Sequence, residues 1–415
     1  MQHYKHIILG GGVAAGYAAQ TFAEYNCQAG DVAIISADDT LPYDRPPLSK
    51  DFLQGKETTA QVLINDADFY ADNHIRVLLQ TRITDVDFGA RTLTSDAGET
   101  FSFDKLLITT GSHLRRLNIP NGDLDKVEYL RSDNQARRIR HDADTEVRAV
   151  VVGGGYIGME TAASLTEDNI IVTMVYPNAH FLEGIFSSEM GEFFENYFRE
   201  RGITLSKGHE VTSFIGEDGA VRGVVLDNGD TLPADFAVVG IGVEPNTGLF
   251  EDTPLILDEP GIRLNEYLQT SIPDVYAAGD VASYQDVVMG GQTRLEHWDA
   301  AKTQGQHAAQ AMISGKPERF EYVPYFFSDV FDLSYEIWGQ PGLGDKIVYR
   351  GDVARGAFSA WWLTDDNRVV AGFVMNRPNT ERQITPQLIA EGREVKPEVL
   401  SDERYDLGEM FGQAA

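Results

Sequence analysis

The sequence predicts an α/β fold, in which parallel sheets alternate with helices, closed by a smaller α+β domain. Three stretches carry that prediction. Residues 6–25, HIILGGGVAAGYAAQTFAEY, run from an apolar strand through a glycine-rich turn into a helix of small residues. Residues 148–165, RAVVVGGGYIGMETAASL, repeat the pattern. From about residue 323 the grammar changes. KIVYR, AFSAWWL and RVVAGFVM read as strands, TDDN as the hairpin turn between the last two, and residues 379–391 as a helix. The acidic stretch at the end reads as a surface arm.

The first repeat holds Gly10, Gly12 and Ala15 as G-x-G-x-x-A, with Ala14 beside them. The second holds Gly153, Gly155 and Gly158 as a full G-x-G-x-x-G, with Tyr156 and Ile157 between the last two glycines. Each is followed by another strand, DVAIISADD and NIIVTMVYPN. Strand, glycine turn, helix and strand make up the dinucleotide-binding unit. One glycine makes the tight turn, one lets backbone approach a pyrophosphate, and one packs helix on strand. The helix N-terminus then faces the phosphates.

Two further apolar strands end in ligand-facing loops. FDKLLITTG ends at Thr110 and Gly111, and TSIPDVYAAGD at Gly279 and Asp280. Both loops fall at carboxyl ends of strands, where open α/β sheets bind ligands. Ribose recognition belongs at the end of the second strand of each unit. Ser36 and Asp38 stand there in the first, and Asp38 suits the adenosine ribose hydroxyls. Tyr176 and Asn178 stand there in the second, with Glu183 close behind and no arginine before Arg199. Nothing cationic awaits a 2′-phosphate, so NADH is favoured, with NADPH left open.

Bulk properties exclude other classes. The net charge is −30, from 34 cations against 64 acids, and only ten of the cations are lysine. Phosphate backbones need a basic face, so nucleic acid is not an expected partner. Cys27 is the single cysteine, which excludes a CxxC pair, an internal disulfide framework and a cysteine zinc site; no metal site is expected. No stretch approaches the roughly 20 apolar residues of a membrane span. The chain enters a strand pattern by about its fifth residue, leaving no room for a signal peptide. The expectation is a cytoplasmic protein, monomer or homodimer, with no membrane partner.

Two dinucleotide units in one chain suggest hydride transfer from nicotinamide to flavin. The second unit interrupts the first. Residues 1–112 and 248–322 are read as the FAD domain and residues 113–247, ending in VVGIGVEPN with Gly242, as the NAD(P)H domain. Residues 323–415 are read as the α+β domain.

These motifs resemble the FAD-dependent pyridine nucleotide–disulfide oxidoreductase superfamily over nearly the whole chain. PYDRPPLSK and GGGYIG-E resemble the branch holding oxygenase-coupled ferredoxin and rubredoxin reductases, apoptosis-inducing factor and monodehydroascorbate reductase. ILGGGVAAGYAA, VTMVYP, RLEHWDAA and VPYFFSDVFDLSYEIWG are most similar to monodehydroascorbate reductase. The superfamily's disulfide members carry a redox cysteine pair that this chain lacks. The resemblance therefore implies electrons leaving the flavin directly, to a small molecule or a small redox protein.

The resemblance also implies roles. Lys50 and Glu160 would pair beside the flavin N5, where a cation stabilises the reduced ring and the carboxylate fixes that cation. Arg45 would contact the FAD pyrophosphate or adenine side, and Ile83 the adenine by its backbone. Arg131 would touch the flavin. Glu296, His297 and Trp298 would meet the flavin's pyrimidine and nicotinamide edges, although His297 also suits a packing histidine. Tyr156 would cover the flavin until nicotinamide displaces it. Of Tyr325, Phe326 and Phe327, two are expected in the core and Phe327 is expected to face the flavin. Plant monodehydroascorbate reductases align Tyr with Phe327 and Arg with Lys302. Lys302 keeps the charge without the planar fork, and Phe327 lacks the hydroxyl. The functional expectation is an NADH-dependent FAD reductase giving single electrons to a monodehydroascorbate-like acceptor. The alternatives are a reductase feeding a ferredoxin or rubredoxin, docked through Arg115, Arg116, Arg137, Arg138 and Arg140, and a redox sensor like apoptosis-inducing factor.

Overall fold

A computed structural model describes residues 1–25 and 28–411 of the chain. Cys27, read from the sequence as a small buried residue, lies outside the described residues. Contacts divide the chain into two compact units. One comprises Met1–Arg45, Thr58–His113 and Val243–Tyr322, and the other Pro46–Glu57, Leu114–Gly242 and Val323–Ala415.

In the first unit the strand Gln2–Leu9 lies between Val32–Ile35 and Thr100–Ile108, all parallel. Ile75–Leu78 extends one side, and Val275–Ala277 pairs with Thr100–Ile108. Every residue of Val32–Ile35 is buried, as expected of a parallel strand covered on both faces. An antiparallel pair, Ile83–Asp87 and Thr92–Ser95, continues the sheet. The helices Val13–Glu24 and Trp298–Ser314 pack closely through small side chains. A Cβ on Gly305 would stand 2.3 Å from the Ala14 carbonyl oxygen, so only glycine fits.

In the second unit a parallel sheet runs in the order Thr204–Lys207, Ile171–Tyr176, Arg148–Val152, Phe236–Val239, Val127–Tyr129. A three-stranded antiparallel sheet, Val211–Glu217, Ala220–Leu226 and Thr231–Pro233, follows in the chain. A second five-stranded sheet is antiparallel and runs in the order Tyr325–Val330, Leu333–Gly339, Val369–Met375, Ala357–Leu363, Lys346–Asp352. The helix Asn379–Ala390 packs on it, with Trp361 Nε1 donating to Thr385.

Two features differ from the sequence reading. Residues 46–57, placed there with the first nucleotide unit, make their contacts in the second. The final stretch is not a loose surface arm. The buried Arg350 donates to the carbonyls of Leu400, Asp402 and Tyr405, and Leu400 and Leu407 are buried. Acidic composition concealed this anchor, because a guanidinium recognises backbone oxygens whatever the side chains.

Candidate functional site

The first unit gathers the first fingerprint around one strand end. Gly10 has φ +119°, and a Cβ there would meet the Thr109 carbonyl oxygen at 2.2 Å. Gly12 is the N-cap of Val13–Glu24 and supplies no side-chain cap, so first-turn N–H groups stay available. The Arg45 guanidinium approaches Gly12, 3.9 Å from where a Cβ would stand, and lies over the Tyr43 ring. Ala14 and Ala15 are buried behind the turn. Ser36 is buried and accepts from the Asp38 N–H at 3.1 Å. The Gln80 and Thr81 N–H groups donate to the Asp38 and Ser36 carbonyls, tethering the segment that leads to Ile83.

Thr110 and Gly111 are held by Asn246, which sequence reasoning missed. Its side-chain amide donates to the Thr110 carbonyl at 2.7 Å, and its own carbonyl accepts from the Thr110 hydroxyl. Gly279, at φ +82°, donates to the buried Gln304 Oε1 at 2.8 Å. Gln304 Nε2 has no partner among the described residues, leaving a buried donor beside the Gly279–Asp280 loop. Asp280 accepts from Ser112, and its carbonyl accepts from Arg294, which also pairs with Glu296 at 2.6 Å. His297 is the N-cap of Trp298–Ser314 and accepts from the Asp299 N–H. The capping role is neither the flavin contact nor the packing role that the sequence offered for His297. An uncapped helix N-terminus, a cradle that a Cβ would fill and a buried orphan donor fit a dinucleotide.

Trp298 and Lys302 belong to a cluster whose other members, Asp44 and Tyr17, were not singled out. Trp298 Nε1 donates to Asp44. Lys302 Nζ stands 5.0 Å from the Trp298 ring centroid and 5.1 Å from that of Tyr17. Burial pushes the Asp44 carboxyl up, against the hydrogen bonds from Trp298 and Tyr17. Burial, with the Asp44 charge, pushes the Tyr17 hydroxyl up to about 12.

In the second unit, Gly153 has φ +125°, and a Cβ there would strike the Gly240 carbonyl oxygen at 2.2 Å. Gly158 approaches the Gly153 carbonyl as closely, while Gly155 faces open space at the uncapped start of Tyr156–Glu167. Ile157 is 41% exposed beside it. Gly242 follows the strand Phe236–Val239 and accepts from the Arg115 N–H. Arg131 precedes Ser132, the N-cap of Asp133–Thr145, and its N–H donates to Gln135. This cradle also fits a dinucleotide.

Tyr176 corrects the sequence reading. It is 0% exposed, its ring lies under Gly154, and its hydroxyl donates to Glu195 at 2.9 Å. Its side chain supports the turn from below rather than reaching a ligand. At the exposed end of that strand, Asn178 Nδ2 donates to Glu183 Oε2 at 2.9 Å, as does the Ala179 N–H at 3.2 Å. Those two hydrogen bonds hold the Glu183 carboxyl below its ordinary range.

The helix Tyr156–Glu167 carries Tyr156, Glu160 and Ser164 at i, i+4 and i+8, hence on one face. The turn Pro46–Ser49 meets that face. The Ser49 carbonyl accepts from Ser164 at 2.7 Å, and its hydroxyl donates to Glu160. From the antiparallel sheet, Ser328 donates to the other Glu160 oxygen at 2.6 Å. Lys50 Nζ lies 3.2 Å from Glu160 Oε1 and 3.3 Å from Asp329 Oδ2. Sequence reasoning named Lys50 and Glu160 but not Ser49, Ser328 or Asp329. Small polar residues in a loop or strand signal nothing until their partners arrive.

The aromatic run also differs. None of Tyr325, Phe326 and Phe327 is fully buried, whereas two were expected in the core. They lie on an edge strand, where alternation sends them opposite ways. Phe326 stacks on Tyr156 with centroids 3.7 Å apart, and the Phe327 ring centroid stands 5.2 Å from Lys50 Nζ. Burial, then the Tyr335 and Glu160 charges, hold the Tyr156 hydroxyl well above its ordinary range. The arginines read as a docking patch are locally offset. Arg137 pairs with Asp133, Arg138 with Glu128, and Arg140 with Asp144, while Arg116 lies over Tyr129.

Among the described residues no cluster could hold a metal ion, and no helix is long and apolar enough to cross a membrane. Comparison with known proteins matches residues 4–305 to the family Pyridine nucleotide-disulphide oxidoreductase and residues 325–411 to Reductase C-terminal. The chain is 38% identical to the peroxisomal monodehydroascorbate reductase 4 of Arabidopsis thaliana, covering 98% of this chain and 86% of that protein. It is 33% identical to the monodehydroascorbate reductase of Solanum lycopersicum, covering 98% of this chain. Among solved structures, the ferredoxin reductase for the CYP199A2 system of Rhodopseudomonas palustris superposes with a TM-score of 0.92 at 29% identity, over 98% of this chain and 99% of that one. The covalent putidaredoxin reductase–putidaredoxin complex gives 0.92 at 31% identity, over 99% of this chain and 98% of that one.

Proposed function

Because the chain belongs to the pyridine nucleotide-disulphide oxidoreductase family, we propose that it oxidises NADH through FAD and passes the electrons singly to a small acceptor of the monodehydroascorbate type. Bound FAD supplies the two-electron to one-electron conversion. The observation that carries the reading is Lys50, held 3.2 Å from Glu160 on the helix that follows the second fingerprint, in a chain with one cysteine.

In this reading Gly10, Gly12 and Arg45 bind the FAD pyrophosphate, and Asp38 accepts from its ribose hydroxyls. Thr110, Gly111, Gly279 and Asp280 line the same cofactor, with Arg131, Glu296, His297 and Trp298 serving the ring. Gly153, Gly155, Ile157 and Gly158 bind the nicotinamide dinucleotide, with Gly242 behind. Tyr156 acts as a shutter that excludes water until the nucleotide moves it. The Lys50 ammonium favours negative charge developing nearby, and Glu160 fixes its direction. The three domains expected from sequence and a cytoplasmic monomer or homodimer belong to the same proposal.

Stopped-flow reduction by NADH and by NADPH, followed by reoxidation with ascorbyl radical, quinone and ferredoxin, tests it. Lys50→Ala should slow reduction by NADH while FAD stays bound. Reduction at the unaltered rate would overturn the assignment.

A second reading, a reductase for a small iron–sulfur protein, draws support from the likeness to the putidaredoxin reductase complex. Phe327 and Lys302 also lack the hydroxyl and the fork expected of an ascorbyl site. Against it stand the −30 charge and the paired arginines, which disfavour an acidic carrier. Ferredoxin turnover that falls steeply with salt would favour this second reading.

A further inference from the structure

Lys50 is held by two carboxylates where one would balance its charge. Glu160 is the inner one, with its side chain 7% exposed, and Ser49 and Ser328 occupy its two oxygens. Asp329 is the outer one, 3.3 Å from Nζ and 46% exposed, while the Lys50 side chain is 17% exposed. Asp329 therefore does not relieve an unpaired buried cation, because Glu160 already does. It makes the Glu160–Lys50–Asp329 cluster net negative.

The placement is built rather than incidental. Asp329 and Phe327 are two apart on the edge strand Tyr325–Val330, so they share a face. One grips the ammonium by charge and the other covers it with a ring. Phe326 and Ser328 alternate with them and go to Tyr156 and Glu160 on the helix. A single strand thus fixes both ends of the Lys50 pair.

We infer that Asp329 is a positioning residue that trims the positive charge Lys50 presents, and so lowers the reduction potential of the bound flavin. The inference rests on the proposal that Lys50 serves the flavin. An unopposed ammonium would stabilise the electron-rich reduced ring and make it a reluctant donor. Asp329 draws the ammonium toward the carboxylates and so reduces the charge it presents elsewhere, an action that requires the ammonium itself. The gain is a stronger reductant for one-electron acceptors.

The test is the two-electron midpoint potential of the FAD-loaded protein, measured by spectroelectrochemical titration without acceptor or turnover. Asp329→Asn is near-isosteric at a half-exposed position. It should raise the potential by a roughly tenfold shift in the reduction equilibrium, about 30 mV for two electrons. Lys50→Met should lower the potential, and Asp329→Asn added to Lys50→Met should then shift it clearly less than in the parent. An unchanged or lowered potential in Asp329→Asn, with Lys50→Met still lowering it, would overturn this inference alone. An unchanged potential in Lys50→Met would overturn the Lys50 assignment with it. Equal shifts from Asp329→Asn in both backgrounds would make Asp329 a general surface charge and overturn its action through Lys50.

Discussion

Tyr156 lies flat against Phe326, their ring centroids 3.7 Å apart and their planes 27° from parallel. One ring opens the helix after the second glycine turn, and the other stands on the edge strand of the antiparallel sheet. Such pairs contribute about 0.5–1.5 kcal/mol beyond their burial. If Tyr156 must leave this stack to admit a nicotinamide, Phe326 opposes nucleotide binding by about that amount. Phe326→Leu should therefore tighten NAD⁺ binding by about 2- to 10-fold, read by isothermal titration. Unchanged affinity would count against the shutter.

Nucleotide choice should turn on Glu183. Asn178 and the Ala179 N–H hold its carboxylate at the end of the strand Ile171–Tyr176. The nearby cations Arg199 and Lys207 are both drawn to Glu195. A fixed anion here suits ribose hydroxyls and repels a 2′-phosphate. Glu183→Arg should shift the ratio of kcat/KM for NADPH over NADH upward by about tenfold or more, of the order of one charge-assisted contact. A ratio that stays put would remove Glu183 from the site.

Acid should loosen the first unit early. His6 lies on the strand Gln2–Leu9 with its ring 5.0 Å from Phe22, and its Nδ1 is buried without a partner among the described residues. Burial first, and then the Lys105 charge, lower its pKa from 6.5 to about 4. The unfolded chain takes up this proton near pH 6.5, the folded chain only near 4. The stability tied to neutral His6 is therefore complete above pH 6.5 and lost as pH falls from 6.5 toward 4. His6→Phe should flatten the urea midpoint across that window. An unchanged slope would show that other groups set it.

Arg350 should matter more than any surface charge. Its Nε lies 3.0 Å from Glu381 Oε1, and both side chains are buried. Removing one member of such a pair costs about 3–5 kcal/mol. Arg350→Met should lower the denaturant midpoint of the antiparallel sheet, with Trp361 and Trp362 as fluorescent probes. Loss of less than about 1 kcal/mol, the worth of an exposed ion pair, would refute the clamp.

The glycine turns were legible because their conformations admit nothing else. Gly10 and Gly153 have positive φ and stand against carbonyl oxygens, so the residue type itself reports the geometry. The helix pattern placed Glu160, and the proline pair marked the turn before Lys50. What stayed hidden were residues whose meaning lies in a partner distant in the chain. Ser49 and Ser328 converge on one carboxylate from opposite ends of the sequence. Asp44 stands in a loop, and only its distant partners Trp298 and Tyr17 mark it as half-buried and bonded. Phe326 and Phe327 misled for another reason. An edge strand contacted on both faces shows no apolar–polar alternation, so adjacent aromatics read as core.

Arg350 binds the terminal segment chiefly through main-chain oxygens, those of Leu400, Asp402 and Tyr405. A carbonyl is present whatever residue mutation puts there. The segment is thus free to drift in sequence while keeping its path, whereas the arginine that reads it is not. Lineages diverging from this chain should keep an arginine opposite a freely varying stretch. In them, the anchor would be recognised by the constancy of one partner and the indifference of the other.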